Sequence, residues 1–173
     1  NNRLRYTNTV GDQTSDSFGF TLSDPDGGEL INQTFNITIN QVPTVFVNNG
    51  LTLNEGTTEL IDSGKLNATD AETGGGTDIT FTITSAVSHG ILFIDSNPST
   101  VFEAGDVELV ENATFTIDDV NNARLRYTNT VADQNADSFE FKVSDPDGGE
   151  LTNQTFTITI NLLEVPTVTT TTA

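Results

Sequence analysis

The acidic turn Ser-Asp-Pro-Asp-Gly-Gly-Glu occurs twice in the chain, at 23–29 and at 144–150. In each copy two carboxylates stand two residues apart, in front of a Gly-Gly pair; the four are Asp24, Asp26, Asp145 and Asp147. Several carboxylate oxygens held close together form the ligand set that Ca²⁺ takes in proteins. The spacing therefore predicts a calcium site. Asp, Pro and Gly also build β-turns without any metal, so plain turn chemistry is the alternative.

Three further acidic residues extend the candidate calcium set. Asp70 and Glu72 also stand two residues apart, and Glu55 precedes a glycine in a second turn. None of these segments has the full spacing of an EF-hand loop or of a nonapeptide calcium repeat. The acidic motif is therefore more specific as a turn than as a metal site.

Catalytic chemistry has little support in the sequence. His89 is the single histidine, and no cysteine is present to join it in a metal or nucleophile site. Paired carboxylates serve glycosidases, but here they stand in turns beside glycine, and the chain has no Trp and only 2 Tyr for stacking a sugar. The glycines at 74–76 are not followed by the Lys-Ser/Thr of a phosphate loop. We predict that the chain is not an enzyme.

Five Asn-X-Ser/Thr sequons mark candidate glycosylation sites. They begin at Asn32, Asn36, Asn67, Asn112 and Asn153. Period-two alternation places the first two on the exposed side of a strand, where a glycosylating enzyme could reach them. The number of sequons is close to chance for a chain so rich in Asn, Ser and Thr. Unmodified side chains are therefore the alternative.

Composition and charge exclude several classes of partner. The 173 residues include 25 acidic and 6 basic side chains, for a formal net charge of −19. A nucleic-acid-binding surface needs the opposite charge, so no nucleic acid is expected. The chain has no cysteine and hence no disulfide. No apolar run reaches the roughly 18 residues of a membrane span, so no membrane insertion is expected.

The chain repeats itself at the length of a domain. Residues 1–40 recur at 122–161 with an offset of 121 residues, and 31 of the 40 aligned positions are identical. The following Val-Pro-Thr-Val at 42–45 recurs at 165–168. Repetition at this length is typical of a protein built as an array of similar units.

The local pattern is β throughout. Polar and apolar residues alternate strictly at 155–160, 139–143 and 79–83, which puts Phe and Ile on a buried face and Thr on the wet one. Clusters of Asn, Asp, Pro and Gly separate these strands. Residues 102–107 and 117–120 each permit one short helical turn. Arg3, Arg5, Arg124 and Arg126 are expected to pair with neighbouring carboxylates across the sheet. Seven or more short strands in about 120 residues predict a Greek-key sandwich.

The complete unit resembles the chondroitin-sulfate-proteoglycan repeat, a cadherin-like module of animal cell-surface proteins and large bacterial adhesins. The resemblance covers 43–160 and rests on the order and spacing of several short motifs. They are Leu-Thr-Leu-Asn-Glu-Gly at 51–56, Leu-Asn-Ala-Thr-Asp-Ala-Glu at 66–72, Ser-His-Gly-Ile-Leu at 88–92, Leu-Arg-Tyr at 125–127 and Asp-Ser-Phe-Glu-Phe-Lys-Val-Ser-Asp at 137–145. The resemblance implies tandem immunoglobulin- or cadherin-like β-sandwiches, with acidic loops near the junctions between domains that are similar to Ca²⁺ clusters.

The repeat divides the chain into three parts. We expect 42–162 to be one complete cadherin-like repeat and 163–173 to be a linker or the first strand of the next one. Residues 1–41 correspond to the C-terminal half of a preceding repeat, with strands expected near 3–7, 17–23 and 30–40. This half-repeat cannot bury both of its faces alone. It must be completed by another segment of the same chain or by strands from another chain.

These expectations combine into one functional hypothesis. The chain is predicted to be a structural segment of an extracellular or cell-surface fibre or stalk. Its units would assemble head-to-tail with adjacent repeats or with copies of itself, stiffened by Ca²⁺ and carrying glycans. The alternative is an adhesin module that binds carbohydrate or protein on a cell surface.

Overall fold

A computed structural model of the chain describes residues 3–11, 13–72, 78–97 and 99–163. Their regular structure consists of thirteen strands and one short helix. The strands are β1 (Ser15–Ser23), β2 (Glu29–Thr38), β3 (Thr44–Asn48), β4 (Leu51–Asn54), β5 (Thr58–Leu60), β6 (Leu66–Thr69), β7 (Thr80–Ser85), β8 (Gly90–Ile94), β9 (Val107–Glu108), β10 (Thr114–Thr116), β11 (Leu125–Asn129), β12 (Ala136–Ser144) and β13 (Glu150–Asn161). The helix is α1 (Ile117–Asn121).

Strands β3 to β13 form a β-sandwich. One sheet has five strands in the order β10-β7-β12-β13-β4, and the other has four in the order β5-β11-β8-β9. Strands β3 and β6 form a separate antiparallel pair. The pairings within the two sheets are antiparallel except for β13 and β4, which run parallel. The all-β sandwich predicted from the sequence is confirmed.

The core follows the predicted alternation. At 139–143 on β12 and at 156–160 on β13 every second side chain is buried, which places six apolar residues on the inner face: Phe139, Phe141, Val143, Phe156, Ile158 and Ile160. The Phe81 and Phe115 rings stack with their centres 4.7 Å apart. Burial of each such side chain is worth about 1.5–3 kcal/mol. Among the described residues, the hydrophobic core cluster lies entirely between Leu51 and Ile160.

Only one of the two predicted helical turns forms. Helix α1 begins after Thr116, whose hydroxyl accepts from the Asp119 backbone N–H while the Asp119 carboxylate accepts from the Thr116 backbone N–H. This reciprocal capping box is a helix-start signal. The turn expected at 102–107 was wrong. Gly105 takes φ +110°, and the Asp106 carboxylate instead accepts from the backbone N–H of Ser96 and of Glu103.

Gly90 opens β8 in close contact with β11. A Cβ added there would lie 2.3 Å from the Thr128 carbonyl oxygen and 2.5 Å from the Tyr127 phenol. Gly90→Ala is therefore expected to lower the free energy of unfolding by about 1–3 kcal/mol, the usual cost of overpacking. Chemical denaturation measures it, with Gly56→Ala as the comparison because nothing lies within 4 Å of its added Cβ. At Gly56 the only expected cost is that of an alanine in its backbone conformation (φ +72°). Equal losses of stability at the two sites would therefore contradict the close approach at Gly90.

The half-repeat keeps only part of the predicted structure. Strands β1 and β2 form an antiparallel hairpin with the same register and the same irregularity as β12 and β13, 121 residues later. The strand predicted at 3–7 was wrong, because those residues form none. The equivalent β11 is a strand because it pairs with β5 on one side and β8 on the other. Residues 3–7 have no such neighbours in the part of the chain that the structure describes.

Candidate functional site: the two poles of the complete unit

The complete unit has two opposite ends, which strand direction identifies. Thr69, at the end of β6, lies opposite Thr44, at the start of β3; this end, which includes the turn between β12 and β13, we call the N-terminal pole. Asn54, at the end of β4, lies beside Asn161, at the end of β13; this end we call the C-terminal pole. The chain therefore enters the unit at one pole and leaves it at the other.

The Asp-Pro-Asp-Gly-Gly turns use their first carboxylate to hold the turn. Asp145 Oδ1 accepts from the backbone N–H of Asp147 at 2.7 Å and of Gly149 at 2.9 Å. Asp24 Oδ1 does the same in the half-repeat, accepting from Asp26 and Gly28 at 2.9 Å each. In these contacts Asp24 and Asp145 act as turn-forming residues, which was the alternative to a calcium site. Asp26 and Asp147 are exposed.

The turn of the complete unit also touches the segment that enters it. The Asn40 side-chain amide donates to Asp145 at 3.3 and 3.4 Å from its two carboxylate oxygens. Gly149 lies so close to the entering chain that an added Cβ would be 2.5 Å from the Gln41 carbonyl oxygen. The N-terminal pole is thus packed against the connection between the half-repeat and the complete unit.

Asp70 and Glu72 form an unsatisfied acidic pair at the same pole. Asp70 is 5% exposed, and its Oδ1 accepts from the Glu72 backbone N–H at 3.0 Å. Within the described residues, Asp70 Oδ2 and both Glu72 carboxylate oxygens are buried without a hydrogen-bond partner. Burial raises the pKa of Glu72 above its ordinary value and the neighbouring Asp70 raises it further, whereas the nearby backbone of Gln41 acts to lower it. Buried carboxylate oxygens without partners are costly unless a proton or a cation satisfies them.

Glu55 lies at the C-terminal pole, away from that pair. Its Oε1 accepts from the Asp133 backbone N–H at 2.6 Å, and its Oε2 accepts from the Leu163 backbone N–H at 3.2 Å. Glu55 therefore holds the chain where it leaves the unit. The structure separates the predicted ligands of the complete unit into two sets, with Glu55 at one pole and the other four at the opposite one.

Within the described ranges no three His, Cys, Asp or Glu side chains group closely enough to hold a metal ion. The Asp70–Glu72 pair is the part of the predicted set that fits a hard cation, because three of its four carboxylate oxygens are buried and unsatisfied. Gln41, Val42, Thr44, Thr69 and Ala71 line a cavity of about 240 Å³ next to this pair.

Asp137, which the sequence did not single out as a candidate residue, accepts four hydrogen bonds. Its two oxygens accept from the backbone N–H of Ser88, His89 and Ser138 and from the Tyr127 hydroxyl, at 2.8–3.0 Å. Burial and the Asp137 carboxylate together raise the pKa of Tyr127 far above its ordinary value. The lone histidine is therefore held through its backbone in a structural network. The repetition of Tyr and Asp ten residues apart in both copies was the available signal.

Both arginines of the complete unit pair with carboxylates, but only Arg126 does so across the sheet as expected. Arg126 Nε lies 2.7 Å from Asp95 Oδ2, and Arg124 Nη2 lies 2.7 Å from Asp119 Oδ1. Asp95 is buried and follows the neighbouring strand, whereas Asp119 lies on α1. The partner of Arg124 thus belongs to the helix and not to the sheet.

The sequons fall at three kinds of position. Asn32 and Asn153 are exposed and take φ +57° and +58° at the irregularity in their strands. Asn112 is exposed in a turn with φ +67°, and Asn36 is exposed on β2. Asn67 is half-buried on β6. Four of the five candidate sites are therefore accessible.

A family model described as cadherin-like matches residues 43–161. The chain belongs to the cadherin-like family. The match covers the whole sandwich, so the cadherin-like part of the predicted resemblance is confirmed. Within the described residues of this cadherin-like chain, no helix has the length and apolar character needed to cross a bilayer.

The cadherin-like chain is similar to large extracellular matrix proteins. It is 29% identical to the human extracellular matrix organizing protein FRAS1 over 149 residues, which is 84% of this chain and 3% of that protein. The mouse FRAS1 protein is 35% identical over 92 residues, or 51% of the chain and 2% of the relative. Extracellular matrix protein 3 of Lytechinus variegatus is 30% identical over 152 residues, or 83% of the chain and 5% of the relative. The chain thus spans at most about a twentieth of these relatives, whose names agree with the predicted extracellular location.

Proposed function

We propose that the chain is a structural segment of an extracellular fibre, stalk or matrix protein, with no catalytic role. The observation that carries the proposal is the position of the chain ends of the unit, which enters at one pole and leaves at the other. Units connected in this way add end to end. Strand β13 has 12 residues, and at about 3.3 Å per residue it spans about 40 Å. The similarity to extracellular matrix proteins supports the setting.

Calcium at the junction between units is the second part of the proposal. The Asp70–Glu72 pair lies at the N-terminal pole, beside the entering chain, with oxygens that need a partner. Glu55 holds the leaving chain at the C-terminal pole, so the equivalent glutamate of a preceding unit would lie at the same junction. Together these carboxylates supply the oxygen ligands that Ca²⁺ takes. A bound ion would offset their mutual repulsion in a chain of net charge −19.

Thermal unfolding with and without calcium tests this proposal. With free Ca²⁺ at 100 times its Kd, the folded chain should gain about 2.7 kcal/mol over the chelator-treated chain. Asp70→Asn should lose this gain and should be no less stable than the unsubstituted chain in chelator, because it removes a buried negative charge beside Glu72.

Asp147→Asn is the matched control for the calcium experiment. Asp147 is exposed and lies at the same pole. Its replacement by asparagine therefore changes the net charge by the same amount without altering the Asp70–Glu72 pair. It should keep the calcium-dependent gain in stability. Equal loss in both variants would assign the effect to general screening of charge, and an unchanged gain in Asp70→Asn would remove the site.

Glycosylation is proposed for the accessible sequons. Asn36 and Asn112 point into solvent, and so do Asn32 and Asn153. A glycan at these positions would cover exposed strand surface without displacing core side chains. Asn67 is the least accessible, because it is half-buried on β6, which pairs with β3.

A further inference from the structure

The hairpin of the half-repeat carries a core face that nothing covers in the described structure. Phe18 is 38% exposed, Phe20 42% and Phe35 55%. Their equivalents in the complete unit, 121 residues later, are 1%, 0% and 0% exposed. The same side chains, in the same hairpin register, are thus surface in one copy and core in the other.

Both edges of this hairpin are also open within the described residues, because β1 and β2 form a two-stranded sheet. In the complete unit the corresponding edges are covered: the edge of β12 that faces away from β13 pairs with β7, and the edge of β13 that faces away from β12 pairs with β4. Among the residues that the structure describes, the backbone groups that make those pairs therefore have no strand partner in β1 and β2. Open edges beside an exposed apolar face form a surface that requires cover.

The sequence differences between the two copies leave the inward face of the hairpin apolar. The two hairpin segments differ at nine positions. Among the eight of these that the structure describes in both copies, only one residue of the complete unit is buried, Val143, and its counterpart is the equally apolar Leu22. Positions outside the core carry the polar changes, such as Gly19 for the exposed Glu140 and Thr21 for the half-buried Lys142. The half-repeat therefore retains the residues that fit the partner strands of the complete unit.

We propose that the β1–β2 hairpin docks onto a further front half of the same type as residues 43–121, supplied by the same polypeptide. The proposal rests on the proposed array function. The register follows from the complete unit, in which Val143 lies opposite Phe81 and Ile158 opposite Leu51. Leu22 will accordingly lie opposite the Phe81-type residue of the docking segment, and Ile37 opposite its Leu51-type residue. A cavity of about 380 Å³ beside Tyr6, Phe18 and Phe35 is closed by this docking.

A second copy of these 173 residues cannot supply the cover with any net gain. Each copy contains two hairpin segments, at 1–40 and 122–161, but one front half. If a second copy lent its front half to this hairpin, its own β12–β13 hairpin would be uncovered, so the total buried surface would not change. A front half on the same polypeptide adds buried surface and acts at an effective concentration near the millimolar range.

Hydrogen exchange on an extended chain tests the docking. The extension is a copy of residues 42–121 joined directly ahead of Asn1, so that the hairpin receives the connection that β11–β13 has in the complete unit. In the chain as it stands, amides at 15–38 should exchange far faster than those at 136–161. In the extended chain their protection should rise to the level of the second set. Continued fast exchange at 15–38, with 136–161 still protected, would overturn the proposal.

Adjacent substitutions on the two faces of β1 supply the control. Phe20→Glu in the extended chain should abolish the gained protection, because it puts a charge on the inward face. Gly19→Glu should keep it, because Glu140 occupies the equivalent outward position of the complete unit. Equal effects of the two substitutions would also overturn the proposal. So would protection of the hairpin amides in the unextended chain that rises with protein concentration, because it would identify a second copy as the occupant. The calcium response of Asp70→Asn is measured without the extension, so the two proposals can fail separately.

Discussion

Replacement of Phe141 by alanine is expected to lower the free energy of unfolding of the complete unit by about 3–5 kcal/mol, the usual cost of removing a buried phenylalanine. The ring is fully buried, with its centre 5.6 Å from that of Phe81 and 5.7 Å from that of Phe139. Since a domain is stable by only about 5–15 kcal/mol, this is a large fraction of the total. Urea denaturation of the two chains measures the difference.

The control for Phe141→Ala is the same change at Phe20, its equivalent in the half-repeat. Phe20 is largely exposed, and a surface substitution away from special features changes stability by about 0.5 kcal/mol or less. The two residues share their type, strand position and hairpin register, so only the surrounding strands differ. Comparable losses at Phe20 and Phe141 would show that the hairpin of the half-repeat is already packed in this chain.

Asp137→Ala is expected to destabilise the complete unit by about 2–4 kcal/mol. It removes the acceptor for the buried Tyr127 hydroxyl and for three backbone N–H groups, and a buried donor left without an acceptor costs about 1–3 kcal/mol. Urea denaturation measures this loss as well. Ultraviolet titration should then show the Tyr127 phenol ionising at lower pH than in the unsubstituted chain, because the carboxylate that opposes its ionisation is gone.

Asp16→Ala is the matched control for Asp137. Asp16 accepts from the Tyr6 hydroxyl at 2.9 Å and from the Ser17 backbone N–H, but these groups are exposed and water can replace the carboxylate. The change should cost about 0.5 kcal/mol or less. If Asp137→Ala lowered the free energy of unfolding by as little as Asp16→Ala, the hydrogen bonds of Asp137 would not hold the loop before β8.

The duplicated segment shows what local sequence can and cannot predict in this fold. The alternation of Phe and Ile predicted β12, β13 and the hairpin of the half-repeat correctly, because period-two burial is a local property. The Leu-Arg-Tyr-Thr segment occurs at 4–7 and at 125–128, yet only the second copy is a strand. Strand formation there depends on β5 and β8, which lie far away in the sequence, so no local pattern could separate the two copies.

The candidate site was predicted by residue type but not by arrangement. Sequence spacing put Asp70 and Glu72 in the acidic set, and three of their four carboxylate oxygens are buried without partners among the described residues. The same spacing gave Asp24 and Asp145 equal weight, although their Oδ1 atoms hold turns. Glu55 was grouped with Asp70, but strand direction puts them at opposite poles. Which pole a loop occupies follows from strand pairing, and pairing is not readable from spacing.

Scattering from chains of increasing length decides whether these units stack end to end. Small-angle X-ray scattering of chains with two, three and four complete units, in calcium, gives the maximum dimension of each. End-to-end stacking should give a constant increase of about 40 Å per added unit, from the length of β13. Increments that shrink with each added unit, as for a compact cluster, would contradict it.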